Sequence, residues 1–151
     1  MKAKVIFLTE EFYANHLHLY KEMEKKNDRP YLHLLIEYKG KKTVIPFRHH
    51  ISHKYCYPTS PVIKGQCQGL DYSKALIIDE KYIDNTRNPL VSKEEFSIIK
   101  SNIKTIHFNF EKYVNKYIKA FNKINEGKGH KEHYDICKYS CLQYFHKEIG
   151  L

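Results

Sequence analysis

Residues 92–125 constrain the fold more than any other part of the chain. Ile103, Ile106, Phe110, Tyr113, Tyr117, Phe121 and Ile124 recur at intervals of three and four, which puts them on one face of a helix. Ser92 with Glu95 three residues later forms a capping box, and Gly127 and Gly129 supply the stop. A helix this long is expected to kink or break near Ser101 and Asn102. Its apolar stripe needs another layer to cover it, and the first half of the chain offers strands. Residues 3–8, with Val5, Ile6 and Phe7 at their heart, read as a buried strand. Thr9 followed by Glu10 and Glu11 reads as a capped helix start, with Phe12, His16, Leu19 and Met23 continuing to a polar loop at 25–30. Residues 31–37 and 42–47 read as two strands joined by a Lys39-Gly40 turn, and Pro46 is expected to end the pairing of the second. A long loop over 52–68, with a short strand at 61–63, then leads to a strand over 70–79. A last helix is expected over 131–148. Strand, helix, several strands and then helices make an α+β domain of 151 residues, with a compact, twisted, mostly antiparallel sheet and flanking and C-terminal helices.

The charge is unevenly placed. The net charge is +9, yet no carboxylate occurs between Glu37 and Asp71. That stretch holds Lys39, Lys41, Lys42, Arg48, Lys54 and Lys64, the histidines His49, His50 and His53, and the rings of Tyr38, Phe47, Tyr55 and Tyr57. Cations and stacking rings without negative charge suit a phosphate polymer, RNA above all. The opening run of apolar residues is cut short by Thr9-Glu10-Glu11, too soon for a membrane span or a secretory signal. A cytoplasmic protein is therefore expected, with its four cysteines as free thiols.

The centre of the stretch reads Pro46-Phe47-Arg48-His49-His50-Ile51-Ser52-His53-Lys54. RNA is cut without a metal when its own 2′-hydroxyl attacks the neighbouring phosphorus. That step needs a group to take the hydroxyl proton, one to protonate the leaving 5′-oxygen, and cations to hold the phosphorane. Histidine suits the proton steps, and Arg and Lys suit the phosphorane. Ser52 can hydrogen-bond a phosphate oxygen. The same residues also describe a solvated basic loop that only grips phosphate, and the residue types leave both readings open. Farther on, Asp71 is placed to orient a basic side chain of the preceding loop, or to form a strand-edge salt bridge, and Lys74 can add a phosphate contact. His133, Cys137 and Cys141, with His130 before them, fall at helical spacing. Their spacing is not that of the common zinc knuckle, so a small apolar core face is expected there and no metal or other cofactor.

The hairpin ending in Pro46-Phe47, the hydroxyl- and cation-bearing segment after it, the Gly69-Leu70-Asp71-Tyr72-Ser73-Lys74-Ala75-Leu76-Ile77-Ile78 run and the long C-terminal helices occur in that order. In this the chain resembles the endoribonuclease toxins of type III toxin–antitoxin systems, the ToxN/AbiQ group, and most closely their CptN/TenpN-like branch. The resemblance implies a core related to the small-barrel toxins. It also implies sequence-selective, metal-independent RNA cleavage that leaves a 2′,3′-cyclic phosphate. The implied inhibitor is a small structured RNA antitoxin that alternates with the toxin in a closed assembly, and the implied role is phage defence, with cellular or phage RNA as substrate. ToxN-branch members place a hydroxyl residue and a lysine soon after the Pro-hydrophobic pair; here these arrive as Ser52 and Lys54.

The candidate catalytic set is therefore Arg48, His50, Ser52, His53 and Lys54, with His50 or His53 handling protons, Arg48 and Lys54 holding the phosphate and Ser52 orienting it. The candidate RNA contacts are Lys39, Lys41, Lys42, His49, Tyr55, Lys64 and Lys74. Two rival readings are an RNA-binding module without chemistry and a toxin inhibited by a protein.

Overall fold

Among the described residues seven strands, every pair of them antiparallel, form the layer that covers the long helix. The structure is a computed structural model and describes residues 2–16 and 32–151. Its strands are β1 (Lys4–Leu8), β2 (His33–Tyr38), β3 (Lys41–Ile51), β4 (Cys56–Pro58), β5 (Cys67–Asp71), β6 (Leu76–Ile77) and β7 (Ile83–Asp84). The helices are α1 (Glu10–Asn15), α2 (Lys93–Asn125) and α3 (Lys131–Tyr139). The sheet order is β4-β5-β3-β2-β1-β7, with β6 also paired to β3. The class is α+β, as the order of apolar runs implies. The sheet stays open, ending at β4 and β7 rather than closing, so the small-barrel core implied by the resemblance is not formed among the described residues. The expected continuation of α1 through Leu19 and Met23, the loop at 25–30 and Tyr31 lie outside the described residues.

Local chemistry sets most element ends. The Thr9 hydroxyl accepts the Phe12 N–H at 3.1 Å and caps α1. The Ser92 hydroxyl accepts the Glu95 N–H at 3.1 Å and caps α2. Lys39 and Gly40 take φ of 48° and 77°, the left-handed pair that a two-residue hairpin requires. α2 is interrupted at Asn102, where φ is −120° and ψ is 17°. There the side-chain amide donates to the Ile98 carbonyl at 2.7 Å and competes with the backbone ladder. The apolar stripe of α2 is buried from Ile99 through Tyr117. Phe110 meets Tyr38 of β2 edge-on, with centroids 5.6 Å apart.

Four expected boundaries move. The expected loop over 52–68 contains β4 and the first residues of β5, and at 61–63 an isolated Ile63–Gln66 bridge stands in place of a strand. Pro46 does not end its strand: β3 runs on to Ile51. The Phe47 N–H donates toward β2, to the Leu32 carbonyl at 2.9 Å, so Pro46, one residue earlier, turns its nitrogen to the opposite edge. On that edge the partner of β3 changes from β6, opposite Thr43 and Val44, to β5, opposite Phe47 and beyond. The missing donor therefore falls in a gap. The expected strand over 70–79 is split by a 3₁₀ turn at Tyr72–Lys74, because Asp71 caps it through the Ser73 N–H. The last helix stops at Tyr139 rather than 148. Buried Ser140, with φ −90° and ψ 135°, leaves helical geometry and caps a 3₁₀ turn over Cys141–Tyr144. Its hydroxyl also accepts from the Tyr113 phenol at 2.8 Å. Burial pushes the Tyr113 phenol well above its ordinary pKa, so it remains a donor to Ser140.

Candidate functional site

The site is organised by one buried carboxylate. Asp71 ends β5 and is completely buried, a position acids occupy only when they are paired. Its Oδ2 receives Arg48 Nη1 at 2.6 Å. Its Oδ1 receives the Ser73 N–H at 2.9 Å, the Ser73 hydroxyl at 2.6 Å and His53 Nε2 at 3.1 Å. Burial alone would raise the Asp71 pKa. The hydrogen bonds and charge supplied by His53, Ser73 and Arg48 outweigh it and hold the carboxyl below its ordinary value. Of the two readings open for Asp71, the orienting partner of a basic side chain and the ordinary salt bridge, the geometry supplies both at once.

Backbone geometry brings these groups together. Opposite the β3 steps from Arg48 to Ile51, β5 advances only from Gly69 to Cys67, so β3 carries an extra residue. His50 sits in this bulge at a φ of 57°. A bulge resets the alternation of a strand. It turns His49 to Gln68 and His50 to Gln66, the latter with Nδ1 and Oε1 3.0 Å apart, both on an exposed surface. The chain then returns with His53 facing Asp71. β4 lies close beside β5 at Gly69, where a Cβ would collide with the Tyr57 carbonyl oxygen and lie 2.7 Å from the Thr59 nitrogen. Glycine is the residue that this close approach admits.

The hydrogen bonds also set the His53 tautomer. The Tyr55 N–H donates to Nδ1 at 3.0 Å, so Nδ1 is the acceptor and Nε2 carries the proton toward Asp71 and toward Ser73 Oγ, 3.2 Å away. In a serine nucleophile site the acid and the serine lie at opposite nitrogens of the imidazole. Here both lie at Nε2, so Ser73 is not arranged as an activated nucleophile.

Above the cluster lies a cleft of about 550 Å3. Its lining includes Arg48, Ser52, His53, Lys54 and Lys74 and, from α3, Glu132, Asp135 and Tyr139. Lys74 Nζ donates to the Tyr139 carbonyl at 2.9 Å and ties the end of α3 to the site. Four of the five candidate catalytic residues therefore share the cleft; His50 does not line it. Among the candidate contacts, Tyr55 and Lys74 line it and His49 does not. Lys39, Lys41 and Lys42 lie at the hairpin turn, seven residues along β3 from Arg48 in the case of Lys41, or about 20 Å of strand. Lys42 pairs with Glu37 at 3.0 Å and Lys41 donates to the Glu148 carbonyl at 3.0 Å. Lys64 sits in a turn at a φ of 52°, away from the cleft lining.

Sequence reasoning did not find Tyr113, Glu132, Asp135 and Tyr139 on the lining. They lie on helices far along the chain and carry no local motif. The expectation of four free thiols is corrected: Cys56 and Cys67 form a disulfide across an 11-residue separation. Cys137 and Cys141 are free. Cys141 is buried beyond the end of α3 and so does not share a helix face with His133, whose Nδ1 instead accepts the His130 N–H at 2.9 Å. Among the described residues, no group of three or more His, Cys, Asp or Glu is arranged to hold a metal ion, and no helix is long and apolar enough to cross a membrane. Compared with family models, curated proteins and solved structures, the chain matches none.

Proposed function

We propose that this protein is a metal-independent endoribonuclease of the toxin type, acting in the cytoplasm and held in check by a small structured RNA. The observation that carries the reading is the gathering of Arg48, Ser52, His53, Lys54 and Lys74 on the lining of a single cleft, over a carboxylate that fixes two of them. A phosphodiester is the ligand that these residues suit. Arg48, oriented by Asp71, offers its guanidinium to the non-bridging oxygens, with Lys54 and Lys74 adding charge and Ser52 a hydrogen bond. Glu132 and Asp135 of α3 share the lining and repel phosphate, so the backbone is held where Arg48, Lys54 and Lys74 outweigh them.

In the reaction, the 2′-oxygen forms a bond to phosphorus as the bond to the 5′-oxygen breaks, giving a 2′,3′-cyclic phosphate and a 5′-hydroxyl. One proton leaves the 2′-hydroxyl and another reaches the 5′-oxygen. His53 is the imidazole on the cleft wall and is the group we assign to proton transfer. Both its nitrogens are engaged, by Tyr55 and by Asp71 with Ser73. It acts only after exchanging one of these bonds for one to RNA, a tightening on binding that active sites commonly undergo.

The test is incubation of purified protein with end-labelled RNA in excess chelator, with product ends mapped. Discrete fragments bearing cyclic phosphate, made by the native protein and not by His53→Ala, support the reading. RNA that is retained on the protein but stays intact across the pH range of histidine titration leaves only a binding module. Copurification of the native protein with RNA rather than with a second polypeptide separates an RNA inhibitor from a protein one.

A further inference from the structure

A second cleft, of about 290 Å3, opens beside the first and shares Lys54, Tyr55 and Tyr113 with it. Its outer lining comes from α2: Asn109, Lys112 and Lys116. Unlike the larger cleft, it has no carboxylate on its lining. We infer that this cleft is a second phosphate subsite, in which Lys112 and Lys116 of α2 hold the backbone of single-stranded RNA leading away from the bond to be cut. The inference rests on the proposed activity for the direction of the strand, and on the cleft itself for the contact.

Four observations converge on it. Lys112 and Lys116 are one helical turn apart on an exposed face, about 6 Å along the axis, a spacing comparable with that of successive phosphates on an extended strand. The Tyr55 ring is flanked by two of these cations, Lys54 Nζ at 5.6 Å and Lys116 Nζ at 5.5 Å from its centroid. A ring bordered by lysines supplies both stacking and charge, the pairing that sequence-tolerant single-strand sites use. Phe108, one turn before Lys112, is 59% exposed, with Lys112 Nζ 5.7 Å from its ring. An exposed phenylalanine beside a lysine extends the same pattern along the helix. Finally, the neighbouring acid Glu111 faces His107 at 3.2 Å, one helical position away from the lysine stripe. The two clefts together make a track from Lys74 and Arg48 past Lys54 and Tyr55 to α2.

The probe is a fluorescent single-stranded RNA of about 12 nucleotides, within the span of such sites, methylated at every 2′-oxygen so that it cannot be cut. Its dissociation constant is measured by anisotropy as salt is raised, for the native protein, for Lys112→Gln with Lys116→Gln, and for a charge-matched control, Lys81→Gln with Lys93→Gln, whose lysines are exposed and line neither cleft. Loss of two phosphate contacts lowers the slope of log affinity against log salt by about 1.4, at about 0.7 per single-strand phosphate. Over the fourfold rise from about 50 to 200 mM salt, this makes the salt-induced loss of affinity about sevenfold smaller. The control slope is expected to stay at the native value. An α2 variant that keeps the native slope, or loses no more than the control, overturns the subsite. Native protein with no affinity for the probe overturns both the subsite and the proposed function. If the slope falls as expected while native protein leaves unmethylated RNA intact, the subsite stands and the cleavage reading fails.

Discussion

Replacing Asp71 by Asn tests the organisation of the site most directly. The substitution preserves shape and leaves Oδ1 to accept from Ser73, but it removes the charge that Arg48 and His53 share. The Arg48 side chain is 17% exposed, so its guanidinium then faces an amide with little solvent to compensate. Removing one partner of a buried ion pair costs about 3–5 kcal/mol. The retained Ser73 bonds and the partial exposure of Arg48 put the expectation at the lower end, about 3 kcal/mol at pH 7. For a domain of this size that is a fall of about 10 °C in Tm.

The sign of the pH dependence follows from the depressed Asp71 pKa. A carboxyl whose folded value lies below its unfolded one, about 3.9, contributes in full above the unfolded value. Its contribution is lost as pH falls through the folded value. Urea unfolding of native and variant protein at a series of pH values from 7 down into acid reads this directly. The gap between them is expected to be widest near neutrality and to narrow in acid, as native Asp71 protonates. Arg48→Met, alone and in the Asp71→Asn background, completes a double-mutant cycle, and the double variant is expected to recover part of the loss, with a coupling of about 0.5–3 kcal/mol. A pH-7 gap below about 1 kcal/mol, the range of exposed pairs, or a gap that does not change with pH, would refute the claim that Asp71 is a buried charged anchor.

The two histidines that the sequence could not separate are expected to behave differently. His53→Ala lowers RNA cleavage by about 100-fold or more, whereas His50→Ala, which loses contacts with Gln66 and His49 on the exposed bulge, leaves cleavage near the native rate; the reverse pattern in a gel assay would exchange the assignment. Opening the Cys56–Cys67 disulfide, either with reductant or by replacing both cysteines with serine, is expected to lower unfolding free energy by about 2–3 kcal/mol for so short a loop, measured by denaturation of oxidised and reduced protein. A cytoplasmic setting would favour the reduced form. Gly69→Ala is expected to cost about 1–3 kcal/mol or more through overpacking, because the new methyl collides with the β4 backbone; an unchanged Tm would show that β4 can lift away. Ser140→Ala, which strands the buried Tyr113 phenol and the Leu142 N–H, is expected to cost about 1–3 kcal/mol in the same measurement.

Features carried by local chemistry were legible in the sequence. Thr9 and Ser92 cap helices because a hydroxyl three residues before a free N–H is a local arrangement. The Lys39-Gly40 turn, the stripe of α2 and the break at Asn102 likewise depend on neighbours within a few residues. Pro46 was misleading because its effect depends on which edge of β3 its nitrogen faces and on where β6 gives way to β5, both set by residues some thirty positions away. The strand over 70–79 and the helix over 131–148 were drawn too long because Asp71 and Ser140 cap 3₁₀ turns inside apolar runs that read as continuous.

The amino-acid sequence by itself determined that cations, imidazoles and rings without acids accompany β3, and that a long one-faced helix needs a sheet; both are properties of spacing and composition. Only the tertiary structure decided which imidazole lines the cleft. The bulge in β3 turns His49 and His50 outward and returns the chain with His53 over Asp71. The acids that α3 brings to the cleft and the α2 lysines were likewise decided by packing. Residues more than fifty positions apart become neighbours when helices cover a sheet, and no local pattern records that proximity.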